Sequence, residues 1–228
     1  PLPPNRITQL YCGVDLTIYT DCLSVEGRMM VRRSLGIPKN AFAIALPGRI
    51  NEGKGHTVWI EALAQLKTRN DMVDWCGVII GGVRGEDAKP GGFIDQIKVQ
   101  IDSLGLTGNI VFTGFRSDLA QCLQAMDVVC VPSVNEAFGF SVIEAMAAGC
   151  PVIGSSTGAI PELIEDRFGI LANPNVPKDW ADSIDMLFNN KNLYSSIASE
   201  ARKRALSRFG LDDHVCKLIN FYIHPRLI

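Results

Sequence analysis

Short apolar, strand-like runs alternate with segments of helical periodicity, and this alternation limits the possible folds more than any other feature of the sequence. The runs are Ala41–Leu46, Trp75–Gly82, Asn109–Phe112, Val128–Pro132, Cys150–Ile153 and Gly169–Ala172. Continuous apolar runs of this length are typical of strands buried on both faces. Strands that alternate with helices form parallel sheets with right-handed crossovers, so we predict an α/β fold with a Rossmann-like, doubly wound parallel sheet.

The segment after the fourth run has the features of a ligand site. Gly139 interrupts the helical pattern, which puts Glu136 in a loop and Glu144 about one turn inside an Ala-rich helix. At such a helix start, free backbone N–H groups and the positive end of the helix dipole favour an anion. Carboxylates accept pairs of hydroxyls, such as those of a sugar or a ribose. The segment could therefore bind an extended, hydroxyl-rich ligand with a charged centre at the helix start. Alternatively, the two glutamates are solvated residues of an amphipathic helix.

Two basic residues, Arg49 and Lys54, follow the first strand-like run, in a glycine-containing loop before the helical segment His56–Lys67. In an open parallel sheet, ligands bind outside the carboxyl ends of the strands. A guanidinium and an ammonium at that place can neutralise a diphosphate. In an isolated loop, these two cations would by default be solvated surface charges. Only their pairing with the later helix start favours a shared ligand.

These motifs resemble the retaining glycosyltransferases of the two-domain GT-B fold, most closely glycosyltransferase family four, the glycosyl transferases group 1. Glu136 and Glu144 match that family's Glu-x7-Glu signature, and the order and spacing of the flanking motifs also match over roughly residues 6–190. These flanking motifs are Gly48–Arg49, Lys54–Gly55, Val111–Gly114 and Gly158–Glu162. The resemblance implies metal-independent transfer of a sugar, with retention, from a nucleotide-diphosphate sugar to an acceptor hydroxyl. It implies no other cofactor.

The resemblance also implies roles for individual residues. It makes Arg49, Lys54 and Glu136 catalytic: the two cations stabilise the leaving diphosphate, and the carboxylate holds hydroxyls of the donor sugar. It assigns nucleotide-sugar binding to Gly48, Gly114, Phe115, Arg116, Phe138, Gly139, Phe140 and Glu144. Glu144 would hold the ribose diol.

Two positions leave alternatives open. Phe115 and Arg116 would lie beside the base, but a packed phenylalanine and a solvated arginine fit the sequence equally well. Ala159 stands where family members usually have a second glycine after Gly158, so its approach to the ligand is in doubt, because alanine does not easily adopt a positive φ.

The resemblance further implies that the chain is one half of a GT-B architecture. Residues 1–25 would form the junction with the missing N-terminal domain, residues 26–190 the nucleotide-sugar-binding domain and residues 191–228 C-terminal helices. The predicted helices of the last part of the chain are Asp179–Phe188, Leu193–Phe209 and Asp212–Tyr222. Because the missing domain would carry the acceptor site, we expect this chain to bind donor but to transfer nothing alone.

Composition and charge argue against several other classes. A net charge of −2 over 228 residues argues against nucleic acid as a partner. Seven scattered cysteines favour a reducing cytosol over a disulfide framework or a zinc site. The histidines, His56, His214 and His224, lack metal-ligand spacing and are interpreted as surface or hydrogen-bonded residues. No apolar run is long enough to span a membrane. We therefore expect a cytoplasmic protein.

The basic stretch of the second C-terminal helix leaves two interpretations open. Arg202, Lys203, Arg204 and Arg208 would form either a solvated helix face or a peripheral contact of the full-length enzyme with the inner face of an anionic membrane.

Two functions from other classes use the same binding residues. A nucleotide-sugar epimerase of this fold would need no acceptor, and a non-catalytic nucleotide-binding module would turn nothing over. An oxidoreductase is disfavoured, because Gly81, Gly82 and Gly85 do not form a Gly-x-Gly-x-x-Gly fingerprint.

Overall fold

The structure is a computed structural model that describes residues 8–69, 74–165 and 167–223. Within these ranges six parallel strands form one sheet in the order β3-β2-β1-β4-β5-β6. They are β1 (Phe42–Pro47), β2 (Trp75–Ile80), β3 (Ile110–Gly114), β4 (Val128–Val131), β5 (Val152–Ser155) and β6 (Ile170–Ala172). The strand order reverses direction between β1 and β4, which is where ligands bind in doubly wound sheets. The predicted α/β, Rossmann-like fold is confirmed.

Helices cover both faces of the sheet. They are α1 (Val25–Ser34), α2 (His56–Lys67), α3 (Phe93–Ser103), α4 (Leu119–Gln124), α5 (Phe140–Ala147), α6 (Ile160–Ile164), α7 (Pro177–Asn189), α8 (Lys191–Arg208) and α9 (Leu211–Ile223). One apolar layer lies beneath α1, α4, α5, α6 and α8, and the other beneath α2, α3 and α7. In β1, Ala43 and Ala45 enter the first layer, and Ile44 and Leu46 the second. This alternation explains why the strand is apolar throughout.

The predicted helices lie within a few residues of their expected positions. Helix α4 begins at Leu119 with Asp118 at the N-cap position. The Asp118 carboxylate makes no capping hydrogen bond and pairs instead with Arg116. The stronger charge-assisted pair outcompetes the cap.

The three arginines in the basic stretch of α8 each contact other parts of the same domain, and the membrane contact of this stretch stays a prediction. Arg202 donates to the backbone carbonyl of Tyr19, and Arg204 lies 4.5 Å over the Phe168 ring. The Arg208 guanidinium lies 5.2 Å from the centroid of the Tyr11 ring. These arginines therefore attach α8 to its neighbours. In the described ranges, no helix combines the length and apolar character that a membrane span requires.

The segment expected to be the interdomain junction is bound to the C-terminal helices. The Val14 N–H donates to the Phe209 carbonyl at 2.8 Å, and the Leu211 N–H donates to the Val14 carbonyl at 2.9 Å. The proposed divisions near residues 25 and 190 stay predictions. Residues 1–7 and 224–228 of the two outer segments, including His224, lie outside the described residues.

Candidate functional site

A cavity of about 380 Å³ lies at the carboxyl ends of β1 and β2, next to the start of α5. Its lining includes Gly48, Arg49, Arg84, Phe115, Arg116 and Ser141. Four of these residues were predicted from the sequence to bind a nucleotide-sugar, whereas Arg84 and Ser141 were not. Three arginines and no carboxylate appear among the described lining residues, so the cavity favours an anion.

The predicted catalytic residues Lys54 and Glu136 contact each other although they come from different loops. The Lys54 Nζ donates to the Glu136 carboxylate at 2.7 Å, and both side chains are mostly buried. The loop before α2 comes this close to β4 because Gly55 lies against the backbone of Pro132. The Lys54 side chain also runs within 4 Å of where a Cβ would stand on Gly48, a residue that lines the cavity. Lys54 therefore passes close to Gly48 of the cavity, although neither Lys54 nor Glu136 is among the described residues that line it.

The loop after β5 holds Glu136 in place. Gly158 has a φ of +67°, and a Cβ there would lie 2.7 Å from the Glu136 carbonyl oxygen. The Ala159 N–H donates to that same oxygen at 3.0 Å. Since Ala159 has an ordinary helical conformation, with φ of −83°, no glycine is needed at this position. Its N–H group positions Glu136, a role that the sequence pattern did not suggest.

The start of α5 presents a helix terminus next to the cavity. Gly139 is the N-cap residue with a φ of +100° and no side-chain cap, so the first N–H groups of the helix have no intrahelical acceptor. The Phe138 and Phe140 rings contact each other edge to face at 4.9 Å, and Phe140 is half exposed. Ser141, in the first turn, lines the cavity. Polar backbone groups and the helix dipole therefore point toward the anion-binding region.

Glu144 lies three residues after Ser141 and so on the same face of α5. Burial raises the pKa of the Glu144 carboxyl to about 7. The group is therefore partly ionised near neutral pH, and desolvation destabilises its charged form. A ligand that donated hydroxyl hydrogen bonds would offset that cost, because hydrogen bonds to the charged form favour it.

Phe115 is not the packed side chain of one interpretation, because it is 80% exposed at the cavity. Arg116 donates from Nε and Nη2 to the two carboxylate oxygens of Asp118 at 2.7 and 2.6 Å. Gly114, just before them, has a φ of +69°, which turns the chain at the end of β3. Both side chains border the cavity, and a contact with a base stays a prediction.

His56 was interpreted from the sequence as either a surface residue or a hydrogen-bonded one, and it is not at the surface. The side chain is fully buried at the start of α2, edge-on to Phe93, and neither ring nitrogen has a partner in hydrogen-bond geometry among the described residues. Burial lowers the pKa of His56 to about 4, so the ring is neutral at pH 7. By contrast, His214 is hydrogen-bonded through Nδ1 to the Tyr11 carbonyl at 2.7 Å. Nowhere in the described ranges do three or more metal-ligating side chains come together.

Comparisons with known proteins agree with this arrangement. Residues 29–204 match the model of the family described as glycosyl transferases group 1. D-inositol 3-phosphate glycosyltransferase of Salinispora arenicola is 31% identical over 226 residues, which cover 96% of this chain and 50% of the relative. The chain therefore spans about half the length of the curated relatives it matches.

Two solved structures are similar in fold. Anabaena Alr3699/HepE, solved in complex with UDP-glucose, has 28% identity and a TM-score of 0.84, over 93% of this chain and 56% of that one. The C-terminal domain of a glycosyl transferase group 1 family protein (LpcC) from Francisella tularensis has 30% identity and a TM-score of 0.75, over 87% of this chain and 100% of that one. The second match shows that a domain of this kind crystallises on its own.

Proposed function

The chain belongs to the glycosyl transferases group 1 family, and we propose that it is the donor-binding half of a retaining glycosyltransferase. The enzyme would move a sugar from a nucleotide-diphosphate sugar to an acceptor hydroxyl. The observation that carries the proposal is the contact of Lys54 with Glu136, in which Lys54 passes close to Gly48 of a cavity lined by Arg49 and by Ser141 of α5. Groups for a diphosphate and for sugar hydroxyls thus meet at one place.

The positive groups would act on the charge that develops during transfer. As the bond from the sugar to the diphosphate breaks, negative charge grows on the leaving phosphate. In this proposal Arg49, Lys54 and the N–H groups at the start of α5 would stabilise that charge without a divalent cation. Preorganised groups of this kind usually give the largest catalytic contribution, and loss of one donor typically costs about a hundredfold or more in rate.

The two glutamates would hold the two ends of the donor. Glu136, fixed by the loop after β5 and by Lys54, would accept hydroxyl groups of the sugar. Glu144, farther along the same helix face as Ser141, would accept the ribose hydroxyls. The Lys54 contact would keep Glu136 close to the diphosphate, where the transferred sugar is attached.

The rest of the reaction requires parts beyond this chain. The relatives are about twice as long, so we propose that the missing half carries the acceptor site and that this chain alone binds donor without transferring sugar. A cytoplasmic location and a peripheral membrane contact of the whole enzyme stay predictions. An epimerase would release free sugar or an epimer without an acceptor, so an assay of the joined halves with and without acceptor separates the two reactions.

We expect calorimetric titration of the chain to show binding of one nucleoside diphosphate among UDP, GDP, ADP and TDP. UDP is the first choice, because the similar Anabaena protein was solved with UDP-glucose. Arg49→Ala should weaken binding about ten- to a hundredfold, since charge-assisted hydrogen bonds contribute about 1.5–3 kcal/mol. Arg33→Ala, which removes an exposed cation of α1 outside the cavity, is the control and should change nothing. Equal binding by the Arg49 variant and the parent would contradict the proposal.

A further inference from the structure

Tyr11 lies in the segment expected to be the interdomain junction, and its side chain contacts the loop that leads into α5. Its ring lies 6.5 Å from the Phe138 ring, tilted by 40°, within the range in which aromatic side chains attract each other. Phe138 in turn contacts Phe140 across Gly139, the residue whose positive φ begins α5. A side chain of the junction segment therefore supports the glycine turn at the helix start.

The Tyr11 hydroxyl contacts a second support of this loop, helix α6. It donates to Oε2 of Glu162, in the first turn of that helix, at 3.2 Å. The N-cap residue of α6 is Ala159, whose N–H donates to the Glu136 carbonyl at 3.0 Å. The hydroxyl thus acts toward the Glu136 end of the loop, whereas the ring acts toward its Gly139 end.

Tyr11 is itself fixed by the C-terminal helices. The Phe209 ring contacts it edge to face at 5.6 Å, and the Arg208 guanidinium lies 5.2 Å from its centroid. Its backbone carbonyl accepts a hydrogen bond from His214 Nδ1 at 2.7 Å. Groups around a ligand are held accurately when the residues that support them are locked by their own packing. Tyr11 has the contacts that such a role requires.

We propose that Tyr11 is a positioning residue of the nucleotide site, which couples the junction segment to the loop before α5 and so fixes Glu136 and the helix start for the ligand. The proposal rests on the proposed function, since it assumes that the cavity beside this loop binds a nucleoside diphosphate. Tyr11 is not among the described residues that line the cavity, so it acts through the loop and not by touching the ligand. The segment that leads to the missing half would thereby help to set the affinity of this half for its donor.

Amide hydrogen exchange of the chain without ligand tests the coupling. The Val142 N–H, which donates to the Gly139 carbonyl at 3.0 Å, reports on the helix start, and the Ala159 N–H reports on the Glu136 end of the loop. In Tyr11→Leu both amides should exchange about tenfold faster, since an aromatic contact and a hydrogen bond each contribute a factor of about two to ten. In Tyr11→Phe only the Ala159 amide should exchange faster, because the ring contact remains.

Titration with UDP tests the effect on the ligand. Tyr11→Leu should weaken UDP about tenfold. Tyr11→Phe should weaken it by a smaller factor of about three, because Gln9 still donates to the Glu162 carboxylate at 3.1 Å. Phe188→Leu is the matched control, since it breaks an edge-to-face pair with Phe42 at 5.3 Å in the apolar layer on the other side of the sheet. It should destabilise the chain to urea but leave UDP affinity and the two amides unchanged.

The outcomes separate this proposal from the proposed function. If Tyr11→Leu speeds the two amides, or weakens UDP, no more than Phe188→Leu does, Tyr11 only packs and the proposal fails. If both amides exchange faster but UDP binds as it does to the parent, the loop does not govern binding, and the proposal fails while the proposed function stands. If the parent binds no nucleoside diphosphate, alone or joined to its missing half, the proposed function fails and this proposal fails with it, whatever the exchange rates.

Discussion

Replacing Gly55 with alanine is expected to lower the free energy of unfolding by about 3 kcal/mol or more, as for other severe steric and backbone changes. Gly55 has a φ of +72°, which L residues rarely adopt. In addition, a Cβ there would lie 2.3 Å from the Pro132 carbonyl oxygen, a backbone atom that cannot rotate away. The loop that carries Lys54 would have to move away from β4, so nucleotide binding should weaken as well.

A matched glycine separates the steric effect from the backbone effect. Gly36 has nearly the same φ, +74°, but nothing lies within 4 Å of the position of its Cβ. Gly36→Ala should therefore lower the free energy of unfolding by only about 1 kcal/mol, because alanine disfavours the left-handed conformation. Urea unfolding of both variants gives the two free energies, and titration with UDP gives the two affinities. Equal destabilisation by the two substitutions would show that the contact with Pro132 contributes nothing.

The fold could be predicted because its determinants are local. Each strand is a short apolar run, and the side chains of β1 alternate between two apolar layers, so burial on both faces is visible in the sequence itself. The placement of Glu136 and Glu144 was also local, because Gly139 interrupts the helical pattern between them. For these features, the spacing of residue types was enough.

The assembly of the site could not be predicted in the same way. The contact of Lys54 with Glu136 depends on two close backbone approaches, of Gly55 to Pro132 and of Gly158 to Glu136. The first joins segments about 80 residues apart in the chain and the second joins segments about 20 residues apart, and no periodicity of the sequence indicates either contact. The topology of a parallel sheet and the family resemblance indicated that these loops lie at one edge of the sheet, but neither predicted that Lys54 contacts Glu136.

Charged residues on helices were the least predictable. A pattern shows that Arg202 is polar, but it does not show that a backbone carbonyl of another segment lies within its reach. Long side chains with several donors satisfy distant carbonyls as easily as they meet water. His56 shows the converse: a polar residue at a helix start is usually exposed, but here the close packing of the loop before α2 buries it.

Replacing Glu144 with glutamine is expected to stabilise the chain above pH 7 while weakening nucleotide binding. Burial raises the pKa of this carboxyl from 4.5 to about 7, so the folded chain keeps a proton that the unfolded chain has lost. Stability from this group is fully present below pH 4.5 and is lost as the pH rises toward 7. Glutamine carries no charge, so the variant avoids a cost of up to about 3 kcal/mol at pH 8.

Urea unfolding of the Glu144→Gln variant and the parent at pH 4.5 and pH 8 measures this cost directly. The free-energy difference should be close to zero at pH 4.5 and about 1–3 kcal/mol in favour of the variant at pH 8. His56 contributes the opposite slope, since its pKa of about 4 lies below the ordinary value, but it is common to both proteins and cancels in the difference. Glu52→Gln, at an exposed position, should give no difference at either pH.

A difference that did not change with pH would mean that the Glu144 carboxylate is hydrated in the folded chain. Stabilisation together with weaker UDP binding would instead show that a group retained for its ligand lowers the stability of the fold when the ligand is absent.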